Sequence, residues 1–307
     1  MKKIIYSLLG LVMVSSCSLD TTPTDRYLES TFWSNDAQVD AGLTACYQTL
    51  RDTYLYGGTA TALFNDVVTP NQYMYDNTYG FGVIGQGSHT VTNSEVIRER
   101  WGSCYKGIGR CNSFLAQIAK YEMKDAAKKL RIAQAKFLRA LYYSILTDYY
   151  GAAPIILDAP DPATQSKLPR DPKAKIVEQI VKDLNEASVD LPVSYSSSND
   201  KGRATKGAAY ALKARVYLYN SMWGEAAKAA GDVIALNKYA VIDDYRSIFK
   251  RDNEGNKEVI FDVQSLNPDF TTNFDLITRQ YLTHAPLLDL CKAYENADGT
   301  PYTGGAG

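Results

Sequence analysis

Thr205-Lys206-Gly207-Ala208-Ala209-Tyr210-Ala211-Leu212-Lys213-Ala214-Arg215-Val216-Tyr217-Leu218-Tyr219 runs almost without pause into Trp223-Gly224-Glu225-Ala226-Ala227-Lys228-Ala229-Ala230-Gly231-Asp232-Val233-Ile234-Ala235-Leu236. Thr205 offers a side-chain oxygen to cap a helix, and apolar and small residues then recur at helical spacing. Helices over 206–221 and 223–236 are predicted, with almost no loop between them. Joined so tightly, they can only fold back as an antiparallel hairpin. A mainly helical chain built from pairs is the expectation.

Within the hairpin, Tyr210, Ala214, Tyr217, Ala226, Ala230 and Val233 match the large and small positions of a tetratricopeptide unit. Small residues let the two helices approach, and aromatic ones fill the groove to the next unit. Lys213 stands where such units usually hold Leu, so the unit is degenerate. Leu138-Arg139-Ala140-Leu141-Tyr142-Tyr143 echoes Leu212-Lys213-Ala214-Arg215-Val216-Tyr217, which reads as a second helix of the same kind.

Upstream, Asp171-Pro172 predicts a helix start, with Asp171 as N-cap and Pro172 at the first position. Its face is Ile176, Ile180, Leu184 and Ala187, and Leu191-Pro192 closes it. Helical periodicity also covers Ser94–Ala119 and Asp125–Tyr150, the latter ended by the run Gly151 to Pro154. A first helix begins near Ser34 with Val39, Leu43, Cys46 and Leu50 on one side. Between it and Ser94, residues 53–93 are rich in Gly, Asn, Thr and Tyr, and no helix longer than a turn is expected there. Downstream, Asp252-Asn253-Glu254-Gly255 reads as a turn before a strand from Val259 to Val263. The fold class expected is mainly α, with degenerate tetratricopeptide-type helix pairs, long irregular loops and a few short strands.

The N-terminus reads as an export signal. Lys2 and Lys3 precede the apolar stretch Ile4–Val14 and the small residues Ser15 and Ser16. That stretch falls short of the roughly 20 residues a membrane-spanning helix needs. Cys17, just past the cut, is the residue a bacterial lipoprotein would carry its diacylglycerol on. The expected organisation is a signal peptide over 1–16, a lipidated tether over 17–33 and a helical domain over 34–307. Cys46, Cys104, Cys111 and Cys291 remain, an even number that permits three pairings in an exported protein. Cys104 and Cys111 lie on the stripe Ile97, Trp101, Cys104, Ile108, Cys111, Leu115, Ile118, a heptad and hence about 10 Å apart, beyond disulfide reach. They are expected to be buried thiols.

Composition narrows the function classes. Lys+Arg 33 against Asp+Glu 34 gives no electrostatic reason to bind nucleic acid. Two His leave little material for a metal or triad site, and neither His89 nor His284 has a nearby nucleophile motif. Asp243 and Asp244 are adjacent and diverge, and Asp252, Glu254 and Glu258 surround a turn whose spacing departs from a calcium loop. No catalytic residue, metal site or cofactor is expected. The 23 Tyr stand out, because a flat apolar ring with a polar tip suits a surface that stacks on ligands.

Several blocks together resemble the SusD/RagB family of Bacteroidetes outer-membrane lipoproteins. They are the lipoprotein start, Thr31-Phe32-Trp33, Ala135 to Tyr143, Tyr150-Gly151-Ala152-Ala153-Pro154-Ile155-Ile156, Ile180 to Ala187, Gly202 to Ala209, Asn256 to Phe261, and Tyr294 with Asp298-Gly299. The resemblance implies a non-enzymatic, cell-surface glycan-binding lipoprotein. It would be anchored to the outer membrane at Cys17 and deliver oligosaccharide to a SusC-like TonB-dependent transporter. Family members are usually longer, so the chain is expected to be an N-terminal portion, incomplete at its C-terminus.

Sugars present apolar C–H faces ringed by hydroxyls, so a site needs aromatic planes beside polar groups. The segment 53–93 offers Tyr73, Tyr75, Asn77 and Tyr79, and a second strip offers Phe270, Asn273, Phe274, Arg279 and Tyr281. Trp33, Trp101 and Trp223 fall on helix positions that read as core. Two alternatives stay open: a tetratricopeptide-like scaffold for protein partners, and a peptide ligand in place of a glycan.

Overall fold

The structure is a computed structural model that describes residues 32–58, 61–266, 268, 270–273 and 283–301. Cys17 and the signal-like segment, together with Phe274, Arg279 and Tyr281, lie outside the described residues. In chain order the elements are α1 (Asp36–Gln48), β1 (Gln72–Met74), α2 (Phe81–Gly85), α3 (Glu95–Lys120), α4 (Asp125–Tyr150), α5 (Pro162–Gln165), α6 (Lys173–Asp190), α7 (Lys206–Tyr219), α8 (Trp223–Ala235), β2 (His284–Pro286) and α9 (Leu288–Ala293). Short 3₁₀ segments lie between them.

Helices α3, α4, α6, α7 and α8 pack in succession, each on the next, and α1 lies against α3 and α4. The middle of α4 is buried all round, from Phe137 to Thr147, as befits a central helix. Its polar groups are satisfied inside the core, which is what keeps their burial from being costly. Arg139 makes a two-pronged pair with Asp183 of α6, Nε and Nη2 each donating over 2.8 Å. Its Nη1 donates to Asn112 of α3 at 2.9 Å, and Gln179 donates to the same carboxylate. One guanidinium thus ties three helices together.

The tyrosines of α4 fix the connections. Tyr142 donates to the carbonyl of Cys46 at 2.6 Å, and the Tyr143 hydroxyl both donates to Ile156 O and accepts from Ile156 N–H. The loop after α4 is held further by Tyr105, which donates to Pro154 O at 2.7 Å. Gly107 makes room for this arrangement, since a Cβ there would meet the Tyr142 ring at 2.5 Å.

Helix ends follow local chemistry. Asn35 caps α1 by accepting from Gln38 N–H, while the Gln38 side chain reaches back to Ser34 N–H. Thr205 caps α7 through Ala208 N–H. Gly151, at φ +69°, turns the chain out of α4. Asp171 does not cap α6 as predicted. Its backbone pairs with Ala153 and its carboxylate accepts from Ile155 N–H at 2.9 Å, so Pro172 occupies the cap position and the helix starts at Lys173.

Other expectations are corrected. Residues 259–263 form no strand, because no strand lies alongside among the described residues; Phe261 instead docks edge-on to Phe137 with centroids 5.1 Å apart. Residues 61–68 form an eight-residue 3₁₀ helix, longer than the single turn expected. Phe64 and Val67, three apart, share a face at that pitch and are buried. Trp223 is 63 % exposed, on the outer side of α8 with Leu218, Tyr219 and Ile234 exposed nearby in the hairpin, and is not core. Among the tetratricopeptide positions Ala226 is buried and Ala230 exposed, and α7 buries Ala208, Ala209, Leu212 and Val216 toward its neighbours.

Cys46, Cys104 and Cys111 are buried free thiols, and burial pushes the Cys104 thiol up to about 12. No helix among the described residues is long and apolar enough to cross a membrane.

Candidate ligand-binding surface

The segment 53–93 folds on a small core of its own. Phe64, Val67, Met74, Phe81 and Val96 form it, with Tyr54, Tyr79, Ile84 and Ile97 packed around. β1 and β2 make a two-stranded antiparallel ribbon in which Gln72 faces Pro286, Tyr73 faces Ala285 and Met74 faces His284. Side chains alternate across such a ribbon. Met74 points inward and is buried, so Tyr73 and Tyr75 both point out, 53 % and 60 % exposed. Tyr73 lies in β1 and Tyr75 just past its end, and these two exposed rings make up the aromatic platform of the segment.

Asn77 and Tyr79 do different work. The Asn77 Oδ1 accepts from Val83 N–H at 3.0 Å, fixing the entry to α2. Tyr79 has φ +55°, a left-handed conformation uncommon for a non-glycine residue, and Gly80 follows at φ +79°. The Tyr79 ring is held edge-on to Tyr54 with centroids 6.0 Å apart. Tyr54 in turn donates to the Glu95 carboxylate, and burial together with that bond raises its phenol. These residues shape the turn behind the platform.

Two clefts flank the segment. One, of about 520 Å³, has His89, Val91 and Ile97 in its largely apolar lining. Buried Arg100 supports its wall, donating to Tyr54 O at 3.0 Å and lying 4.3 Å from the Tyr149 ring, whose hydroxyl accepts from Asn65. The other, of about 400 Å³, mixes Gln48, Asn199, Lys201 and Gln264 with Phe261 and Phe270. Arg51 stacks on Phe270 at 3.5 Å there, a cation–π contact the sequence did not reveal. The signal for it was Phe270, a member of the strip already noted; Arg51 carried none, because it lies more than 200 residues away in sequence.

Among the described residues no group of three His, Cys, Asp or Glu is placed to hold a metal. The arrangement offers exposed aromatic planes, concave surfaces and amide and guanidinium donors. Those are the attributes of a binding protein.

The SusD-like family described as starch-binding and associating with the outer membrane matches residues 19–218, and the chain belongs to that family. A SusD-like protein of Bacteroides ovatus is 25 % identical over 277 residues, which cover 82 % of this chain and 48 % of the relative. A SusD-like carbohydrate binding protein from Bacteroides fragilis superposes with a TM-score of 0.80 at 27 % identity, covering 89 % of this chain and 56 % of that one. A laminarin binding SusD-like protein superposes at 0.70 with 27 % identity, covering 76 % and 52 %. The chain thus spans about half the length of the relatives it matches. The mainly helical fold with few short strands is theirs.

Proposed function

We propose that this protein is a non-enzymatic glycan-binding lipoprotein of the outer-membrane surface, anchored at Cys17, that passes oligosaccharide to a SusC-like TonB-dependent transporter. The observation that carries the ligand part is the exposed pair Tyr73 and Tyr75, held outward by buried Met74. Flat rings that keep their hydroxyls wet match the apolar faces of sugar rings. The starch-binding description of the family and the laminarin and carbohydrate binding of structural neighbours support a saccharide over other ligands. Phe274 and Tyr281 belong to the same proposal as a second aromatic strip.

Affinity electrophoresis and calorimetry against a polysaccharide panel test it. At least one neutral glucan should bind, and Tyr73→Ala and Tyr75→Ala should each weaken binding about tenfold. Failure of every glycan to bind sinks the ligand assignment, whereas full affinity in both variants sinks the site. Surface labelling of intact cells tests the anchor, with loss of membrane association in Cys17→Ala as the expected result. A protein-scaffold reading draws on exposed Leu218, Tyr219, Trp223 and Ile234; it predicts a co-purifying protein and no glycan affinity.

A further inference from the structure

The end of α4, the start of α6 and the middle of α7 meet at a third cleft, of about 510 Å³, whose lining shares neither Tyr73 nor Tyr75. Asp148, Lys173 and Arg215 line it, with the rings of Tyr56 and Tyr219 as walls and Ser144 between. Its charges do not cancel. None of the ion pairs among the described residues includes Lys173 or Arg215, so Asp148 stands beyond contact distance from both. By contrast Arg131, Arg139 and Arg203 each hold a carboxylate.

The three groups nevertheless share one environment. Burial pushes the Asp148 carboxyl up, and Lys173 and then Arg215 pull it back. Burial raises the Tyr56 phenol as well, again opposed by Arg215. A solvated surface charge needs no partner. Asp148, Arg215, Tyr56 and Tyr219 are exposed, but they line a concave surface with one more cation than anion, which adds to the pull on an incoming anion.

We propose that this cleft binds a carboxylate-bearing sugar, a uronic acid unit of a glycan, with Arg215 taking the carboxylate in its planar fork. Lys173 supplies the second positive charge, and Tyr56 and Tyr219 supply flat surfaces for the sugar ring. The inference rests on the saccharide reading above and narrows its substrate class. Asp148 has a definite part in it. Its negative charge opposes the ligand's, so acid binding is weaker than Arg215 and Lys173 alone would give.

Calorimetry of the protein with a galacturonic acid oligosaccharide and with its methyl ester of equal length tests the proposal. The ester keeps the ring and removes the charge. The acid should bind at least about tenfold tighter than the ester, in line with a charge-assisted hydrogen bond. That preference should vanish in Arg215→Gln, shrink in Lys173→Gln and weaken with added salt. Asp148→Asn should strengthen acid binding several-fold, a gain that misfolding cannot imitate. Equal affinity for acid and ester, or indifference to both Arg215→Gln and Asp148→Asn, overturns the inference. If a neutral glucan still binds in a Tyr73-dependent way, only this inference falls. If no glycan binds at all, the saccharide reading falls with it.

Discussion

The central helix and the 53–93 segment use tyrosine in opposite ways. In α4, Tyr142 and Tyr143 are fully buried and spend their hydroxyls on backbone groups of other segments. At the β1–β2 ribbon, Tyr73 and Tyr75, on either side of buried Met74, leave more than half of their surface exposed. The residue type is the same, so the backbone decides. A helix buried on every side leaves an aromatic no exit, whereas a strand with only one covered face turns every second ring outward.

That contrast can be broken at the framework first. Arg139→Met should cost about 3–5 kcal/mol by leaving Asp183 as a buried, unpaired charge. Urea denaturation would show it, and adding Asp183→Leu should recover most of the loss. On the segment side, Phe81→Ala removes one of the two phenylalanine rings of the satellite core and should cost about 3 kcal/mol locally. Hydrogen exchange should then quicken over 64–83 while the amides of α4 keep their protection; equal quickening in both would mean that the two cores unfold as one.

Alkali tests the buried tyrosines of α4. The Tyr143 phenol is pushed from 10.0 up to about 12, chiefly by burial. A folded value above the unfolded one gives stability that is whole below pH 10.0 and is lost as pH rises toward about 12. The loss from this one residue is on the order of 2–3 kcal/mol. Ionisation of Tyr143, followed by tyrosinate absorbance, should accordingly coincide with unfolding. Smallest of all, Tyr73→Ala and Tyr75→Ala should change stability by less than about 0.5 kcal/mol. A larger loss would show the platform to be part of the fold.

Helical periodicity made α3 and α4 legible to within a residue, because each presents an apolar face long enough to average over local exceptions. Thr205 as a cap and Cys104 and Cys111 as core thiols were equally plain. Tertiary bonds were not. Asp171 carries every mark of an N-cap, yet Ala153 and Ile155 claim its backbone and carboxylate. Trp223 sits at a core-like helical position, but nothing among the described residues covers that side of α8. In the candidate site, Tyr73, Tyr75, Asn77 and Tyr79 could all be picked out from one loop-rich stretch, but that Asn77 and Tyr79 would also hold its turn could not. Arg51, Lys173 and Arg215 gave no signal, since each acquires its meaning from residues remote in the chain.

The loop after α4 has one more consequence. Ala153-Pro154-Ile155-Ile156 is a short extended apolar run, the kind of edge on which a second molecule adds a strand and aggregation begins. Here Ala153 is paired on both N–H and carbonyl, Pro154 has no N–H and gives its carbonyl to Tyr105, Ile155 N–H goes to Asp171, and Ile156 meets Tyr143 twice. A phenol standing in for a neighbouring strand blunts that edge. It also does so without lengthening any sheet, so a protein crowded among copies of itself on a membrane keeps this sticky stretch out of reach.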